Sequence, residues 1–100
     1  MVPQDLQFEW DERKNIRNRR RYGVSFEEAK TVFLDDQALL LDDPDHSSRE
    51  DRFLLLGLSA VVRMLVVCHC YRASSNVIRL ISARKATATE RKGYLERWKR

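Results

Sequence analysis

The sequence predicts an α+β fold in which helices pack on an antiparallel sheet, with the element order β-α-α-β-β-β-β-α. Three observations carry that expectation. Runs rich in Val, Ile and Leu at 52–58, 63–71 and 77–84 follow one another through short connectors, which suits an antiparallel meander. Ahead of them, Asp11 and Ser25 each stand where a helix N-cap belongs. Thr87-Ala88-Thr89-Glu90 has the spacing of a capping box and opens a C-terminal helix. At 100 residues and 43% hydrophobic, the chain has material for one core, so 1–100 reads as a single domain with 1–6 as a flexible N-terminus.

Each element has a local reason. Leu6-Gln7-Phe8-Glu9-Trp10 alternates apolar and polar, as a short strand does, and Asp11 stops it. Between Glu12 and Tyr22 the one aliphatic side chain is Ile16, so that helix is expected to bury a narrow seam there and to expose a broad cationic surface. Gly23 is placed to end it through a left-handed cap. Ser25 and Glu28 match a capping box, after which Phe26, Ala29, Val32 and Phe33 recur at helical spacing and should face the core. Residues 38–41 read as a short strand and 42–48 as a polar turn. Cys68 and Cys70 share one face of an extended run, too far apart along it for a disulfide, and read as buried thiols. The last helix is expected to bury Tyr94, Leu95 and Trp98.

Charge separates along the chain. Residues 13–21 hold six bases and no acid, 84–100 hold seven bases against two acids, and 35–51 hold seven acids against Arg49 alone. The result is a two-sided molecule whose basic surface can attract a polyanion. The opening residues lack the pattern of a secretory signal and no apolar run reaches 18 residues, so the expectation is a cytoplasmic chain with no membrane partner. Phosphate-loop glycines, a nucleophile elbow and zinc-hydrolase spacing are all missing, which leaves nucleotide hydrolysis, esterase chemistry and zinc hydrolysis unsupported. His46 among Asp42, Asp43 and Asp45 reads as a solvated turn, and no metal or other cofactor is expected.

Arginines inside an apolar strand need anionic company. Arg79 and Arg84 lie in such a run, and Arg84 and Lys85 sit at its exit beside the helix start at Thr87, where free amides also favour an anion. That corner is the expected phosphate site. Strict alternation places Ser82 and Arg84 on one face with Ile78 and Leu80, and Arg79 on the other; they cannot all reach one phosphate unless the sheet twists or the strand bulges. On the preceding strand, Arg63, His69 and Tyr71 share a face, which makes His69 the candidate proton carrier. Trp10 could stack on a base.

The blocks Phe8-Glu9-Trp10-Asp11, Lys14 with Asn18, Gly23-Val24-Ser25-Phe26-Glu27-Glu28-Ala29, Asp43-Pro44-Asp45-His46-Ser47 and Ile81-Ser82-Ala83-Arg84-Lys85-Ala86-Thr87, followed by Glu90-Arg91 and Tyr94, resemble the BrnT toxins in order and over nearly the whole chain. The resemblance implies a bacterial type II toxin with a RelE/ParE-like fold, a ribonuclease that arrests translation. It also implies a BrnA-type ribbon-helix-helix antitoxin, a toxin-antitoxin heterotetramer, and contact with operator DNA only through the antitoxin. In the family, Lys-His commonly precedes the glycine; here Arg21-Tyr22 keeps the charge but replaces an imidazole with a phenol.

On this reading RNA is cut by attack of its own 2′-hydroxyl. Arg84, with Arg63 or Arg79 and with Ser82 beside it, would stabilise the charge on the phosphoryl oxygens, and His69 would move the proton. Trp10, Lys14, Arg17, Arg21 and Lys85 would hold the RNA. Two alternatives use the same surface: a non-catalytic nucleic-acid-binding module and an antitoxin-docking module.

Overall fold

A computed structural model describes residues 6–42, 52–72 and 76–97. The expected order of elements is present: β1 (Gln7–Glu9), α1 (Glu12–Tyr22), α2 (Phe26–Ala29) running into a 3-10 turn (Lys30–Leu34), β2 (Leu39–Asp42), β3 (Phe53–Leu58), β4 (Met64–Tyr71), β5 (Val77–Lys85) and α3 (Ala88–Glu96). The sheet order is β1-β5-β4-β3-β2. Strands β2 to β5 form the antiparallel meander, but β1 pairs parallel to β5, so the sheet is mixed rather than antiparallel throughout. The reason is topological. The chain leaves β1 through two helices and a three-strand meander, and returns to β1's side in the same direction.

Two apolar layers form on the two faces. Leu55, Leu65, Val67, Ile78, Leu80 and Ala83 look toward Val24, Phe26, Ala29 and Val32 of the α1–α2 side. Leu56 and Val66 pack with Tyr94 of α3 on the opposite face. Gly57 makes the approach of the α2 side possible: a Cβ there would stand 2.9 Å from Asp35 Oδ2 and 3.0 Å from Val32 Cγ1. Cys68 and Cys70 are buried and form no disulfide with each other, as expected.

The N-caps form where the sequence placed them, though the expected box at Ser25 is half made because Glu28 turns to Arg63 and Ser59 instead. Asp11 accepts from Arg13 N, Ser25 from Glu28 N, and Thr87 from Glu90 N, while Gly23 ends α1 at φ +72°. What holds α1 down is different from the expectation. Ile16 is 42% exposed, and the buried side chains of α1 are Asn15 and Asn18. Leu95, expected inside, is 52% exposed. Trp98 and the turn at 43–48 lie outside the described residues.

Asn18 does the work of a missing strand. Strand β1 covers β5 only at 77–79, leaving the outer edge of β5 open beyond it. There Asn18 Nδ2 donates to Ala83 O at 2.8 Å and Oδ1 accepts from Ala83 N at 3.1 Å, so one side-chain amide satisfies both backbone groups of Ala83. Its second N–H donates to Val24 O at 2.8 Å. Asn15 closes the other side, accepting from Phe26 N at 2.8 Å and donating to Glu27 at 3.0 Å, a bond that leads in holding the Glu27 carboxyl below its usual range.

Candidate nucleic-acid interface

Because Asn15 and Asn18 fix the inner side of α1, its bases are turned outward. Lys14, Arg17, Arg20 and Arg21 line an open groove of about 550 Å³, with Asn18 and Tyr22 from the same helix and Ile81 from β5 completing it. No carboxylate lines it, and no ion pair joins those four cations to an acid among the described residues. A concentration of unneutralised positive charge along a groove is what a nucleic-acid backbone requires. Lys14, Arg17 and Arg21, singled out from sequence, therefore meet in one place. Tyr22, noted there only as a replacement for a histidine, and Arg20 join them.

The groove reaches β5 at an irregularity. Cys68 pairs with Ser82, but His69 pairs with Leu80, so Ile81 is an extra residue with no partner on β4. The bulge resets the alternation. Ser82 and Arg84 stand opposite Cys68 and Val66, while Arg79 stands opposite Cys70, which puts all three on the face away from α1; Ile78, Leu80 and Ala83 take the core face. The strict-alternation assignment of Ser82 and Arg84 with Ile78 and Leu80 is thereby corrected.

Sharing a face does not leave these arginines unengaged. Arg84 is held bidentately by Glu90, Nη1 to Oε1 at 2.9 Å and Nη2 to Oε2 at 3.0 Å. The same carboxylate accepts from Thr87 N at 2.8 Å, completing the capping box of α3. Arg84, with the helix-start amide, pulls the Glu90 carboxyl down to about 2, and Glu90 in turn raises the Arg84 guanidinium. The corner expected to bind phosphate is thus filled by an internal carboxylate. Arg79 pairs with Glu9 at 3.1 Å, and Arg72 reaches the same acid at 3.2 Å. Arg63 is joined to Glu28 through both Nε and Nη2 and donates to Gly23 O at 3.0 Å; this contact leads in keeping the Glu28 carboxyl low, with Ser59 Oγ donating at 2.7 Å.

His69 is on the predicted face but inside it. It is 0% exposed, boxed by Phe33 (ring centroids 4.9 Å), Phe53 (6.2 Å) and Tyr71 (5.3 Å). Burial lowers its pKa, Nδ1 lies 3.2 Å from Val67 O, and Nε2 has no partner. A substrate phosphate has no path to this ring in the folded state. Alternation along β4 gave the face; it could not show that Phe33 forms the roof. Trp10 likewise belongs to the core rim, edge-on to Phe26 at 6.0 Å and donating to Glu12, away from the groove. Lys85 is exposed at the end of β5, and Ser82 is half-buried beside Arg84 in sequence register.

Arg84 is the strand cation that comes near the Tyr22 end of α1, close enough for a phenolate there to raise its guanidinium further, and its side chain is 39% exposed. Among the described residues no cluster of His, Cys, Asp or Glu could hold a metal ion, and no helix is long and apolar enough to cross a membrane.

Comparison with known proteins adds to this geometry. A family profile described as "Ribonuclease toxin, BrnT, of type II toxin-antitoxin system" matches residues 10–90. The structure is similar to the 1.1 Å crystal structure of the Brucella abortus ribonuclease toxin BrnT, with a TM-score of 0.61 and 20% sequence identity over 82% of this chain and 97% of that one. No curated protein sequence matches.

Proposed function

The chain belongs to the BrnT family of ribonuclease toxins of type II toxin-antitoxin systems, and from that premise we propose that its RNA lies in the α1 groove. The observation that carries the reading is the row of Lys14, Arg17, Arg20 and Arg21, facing solvent beside the outer edge of β5 with no carboxylate among the described residues lining it. Those cations, with Lys85 at the strand exit, hold the phosphates. Arg84, held by Glu90 near the Tyr22 end, is the strand cation this reading assigns to the charge that builds on the phosphoryl oxygens. In this reading Arg63, Arg79 and His69 hold the scaffold, through Glu28, Glu9 and the aromatic box, and Ser82 keeps the register beside Arg84.

The reaction needs the ribose of the substrate. The 2′-oxygen loses its proton and bonds to the adjacent phosphorus, the bond from phosphorus to the 5′-oxygen breaks, and that oxygen takes up a proton. The products carry a 2′,3′-cyclic phosphate and a 5′-hydroxyl. DNA lacks the nucleophile. Purified protein is therefore expected to shorten RNA in EDTA and to spare DNA of the same sequence, with cyclic-phosphate ends visible by mass spectrometry. Loss of Arg84 is expected to slow cutting by about 10²- to 10³-fold. Cleaved DNA, or 5′-phosphate ends, would count against the mechanism.

The family carries an antitoxin partner. We extend the reading to a ribbon-helix-helix antitoxin of the BrnA kind, a heterotetramer that reaches operator DNA through that antitoxin, and growth arrest through translation when the toxin acts alone. A RelE/ParE-like scaffold fits the two helices placed ahead of the antiparallel β2–β5 meander.

A further inference from the structure

The groove has one end that its cations do not explain. Tyr22 closes α1 as a residue 38% exposed, and the Arg21 guanidinium stands 5.2 Å from its ring centroid. Ile81 approaches from the other wall because the bulge gives it no β4 partner. The amide between them is already committed: both N–H groups of Asn18 go to Val24 O and Ala83 O, and its oxygen accepts from Ala83 N. It has no free N–H with which to read a base edge. What this end offers is an aromatic face, an aliphatic face and flanking charge, in a space within the range that holds small-molecule ligands, roughly 300 to 1,000 Å³.

Resting on the assignment of the groove to RNA, we propose that its inner end is a nucleobase subsite that selects unpaired strands. One base leaves the strand and stacks on Tyr22 with Ile81 against its other side, while neighbouring phosphates lie on Lys14, Arg17 and Arg21. Every base has a flat face, so the subsite tolerates any sequence. A base held in a duplex cannot reach it.

The test uses strands that bind without being cut. Fluorescence anisotropy of the full chain would be measured with 2′-O-methyl oligonucleotides of equal length: a single strand, the same strand in a duplex, and an abasic backbone. The single strand is expected to bind at least tenfold more tightly than either of the others. Tyr22→Ala should cost about tenfold with the salt dependence unchanged, while Tyr22→Phe stays within twofold of the wild type. A Tyr22→Ala variant within twofold of the wild type, or an abasic strand bound as tightly as the intact one, overturns the base subsite. Arg17→Ala separates the two levels. If it lowers the salt slope by about 0.7 while Tyr22→Ala does nothing, the RNA groove stands and the subsite falls; if it changes neither affinity nor slope, the groove assignment fails and takes the subsite with it.

Discussion

The arginines of the strands and the arginines of α1 carry the same charge and face opposite circumstances. Arg63, Arg79 and Arg84 each meet a carboxylate, on Glu28, Glu9 and Glu90, drawn from a different element of the fold. Lys14, Arg17, Arg20 and Arg21 line a groove that no acid among the described residues borders. The lesson is that a cation inside an apolar run is the one most in need of an internal partner, because leaving it unpaired beside the core is costly. A cation on a helix face that is docked by its other side needs none, and remains available to a polyanion.

Four measurements would break or sharpen that contrast. The largest effect is expected at the joint that presents the groove. Asn18→Ala leaves Ala83 N, Ala83 O and Val24 O without their partner and should lower stability by about 3 kcal/mol in urea denaturation. A loss below about 1 kcal/mol would mean that α1 is held by something other than its amides. Next comes Arg63→Ala, which strands the mostly buried Glu28 carboxylate and should cost about 2 kcal/mol while leaving the salt dependence of RNA binding unmoved.

Acid tests the Glu90 pair. The folded Glu90 carboxyl, pulled to about 2 from an ordinary 4.5, stabilises fully above the ordinary value and loses that contribution as pH falls through the folded one. Partial exposure of Arg84 screens the pair, so the contribution is about 1 kcal/mol. Glu90→Gln should show that loss at neutral pH and a shallower decline between pH 4.5 and 2, followed by circular dichroism. Glu27, Glu28 and Asp35, also held low, add to the slope. The smallest effect on stability is expected from Arg17→Ala, within about 0.5 kcal/mol. A larger loss there would erase the distinction between the two sets of cations.

Much of the fold was legible because caps and periodicity are local. Asp11, Ser25, Gly23 and Thr87 marked ends that the structure keeps. The direction of β1 was not, because a strand of three residues says nothing about its neighbour. Nor was the docking of α1: hydrophobic periodicity looks for Ile16 and passes over two amides. Asn15 and Asn18, spaced three apart in a helix otherwise crowded with charge, were the available sign. The ion pairs escaped for a different reason. Glu9 lies 70 residues from Arg79 and Glu28 lies 35 from Arg63, so composition of the strand alone announces the need for a partner without naming it. The groove was half legible, since Lys14, Arg17 and Arg21 follow helical spacing, while Ile81 arrives only through the bulge.

That one surplus residue sets the phase of everything after it. A strand with period two absorbs an odd insertion only by leaving that residue outside the ladder, as happens here. Pairing Ile81 with Cys68 in an unbroken ladder would turn Ser82 and Arg84 toward α1 and Ala83 away from it, moving the Arg84 guanidinium off the helix that now clasps it; excising Ile81 would keep the present faces. By standing out of the ladder, a single isoleucine keeps an apolar face and a charged face in phase along the last strand.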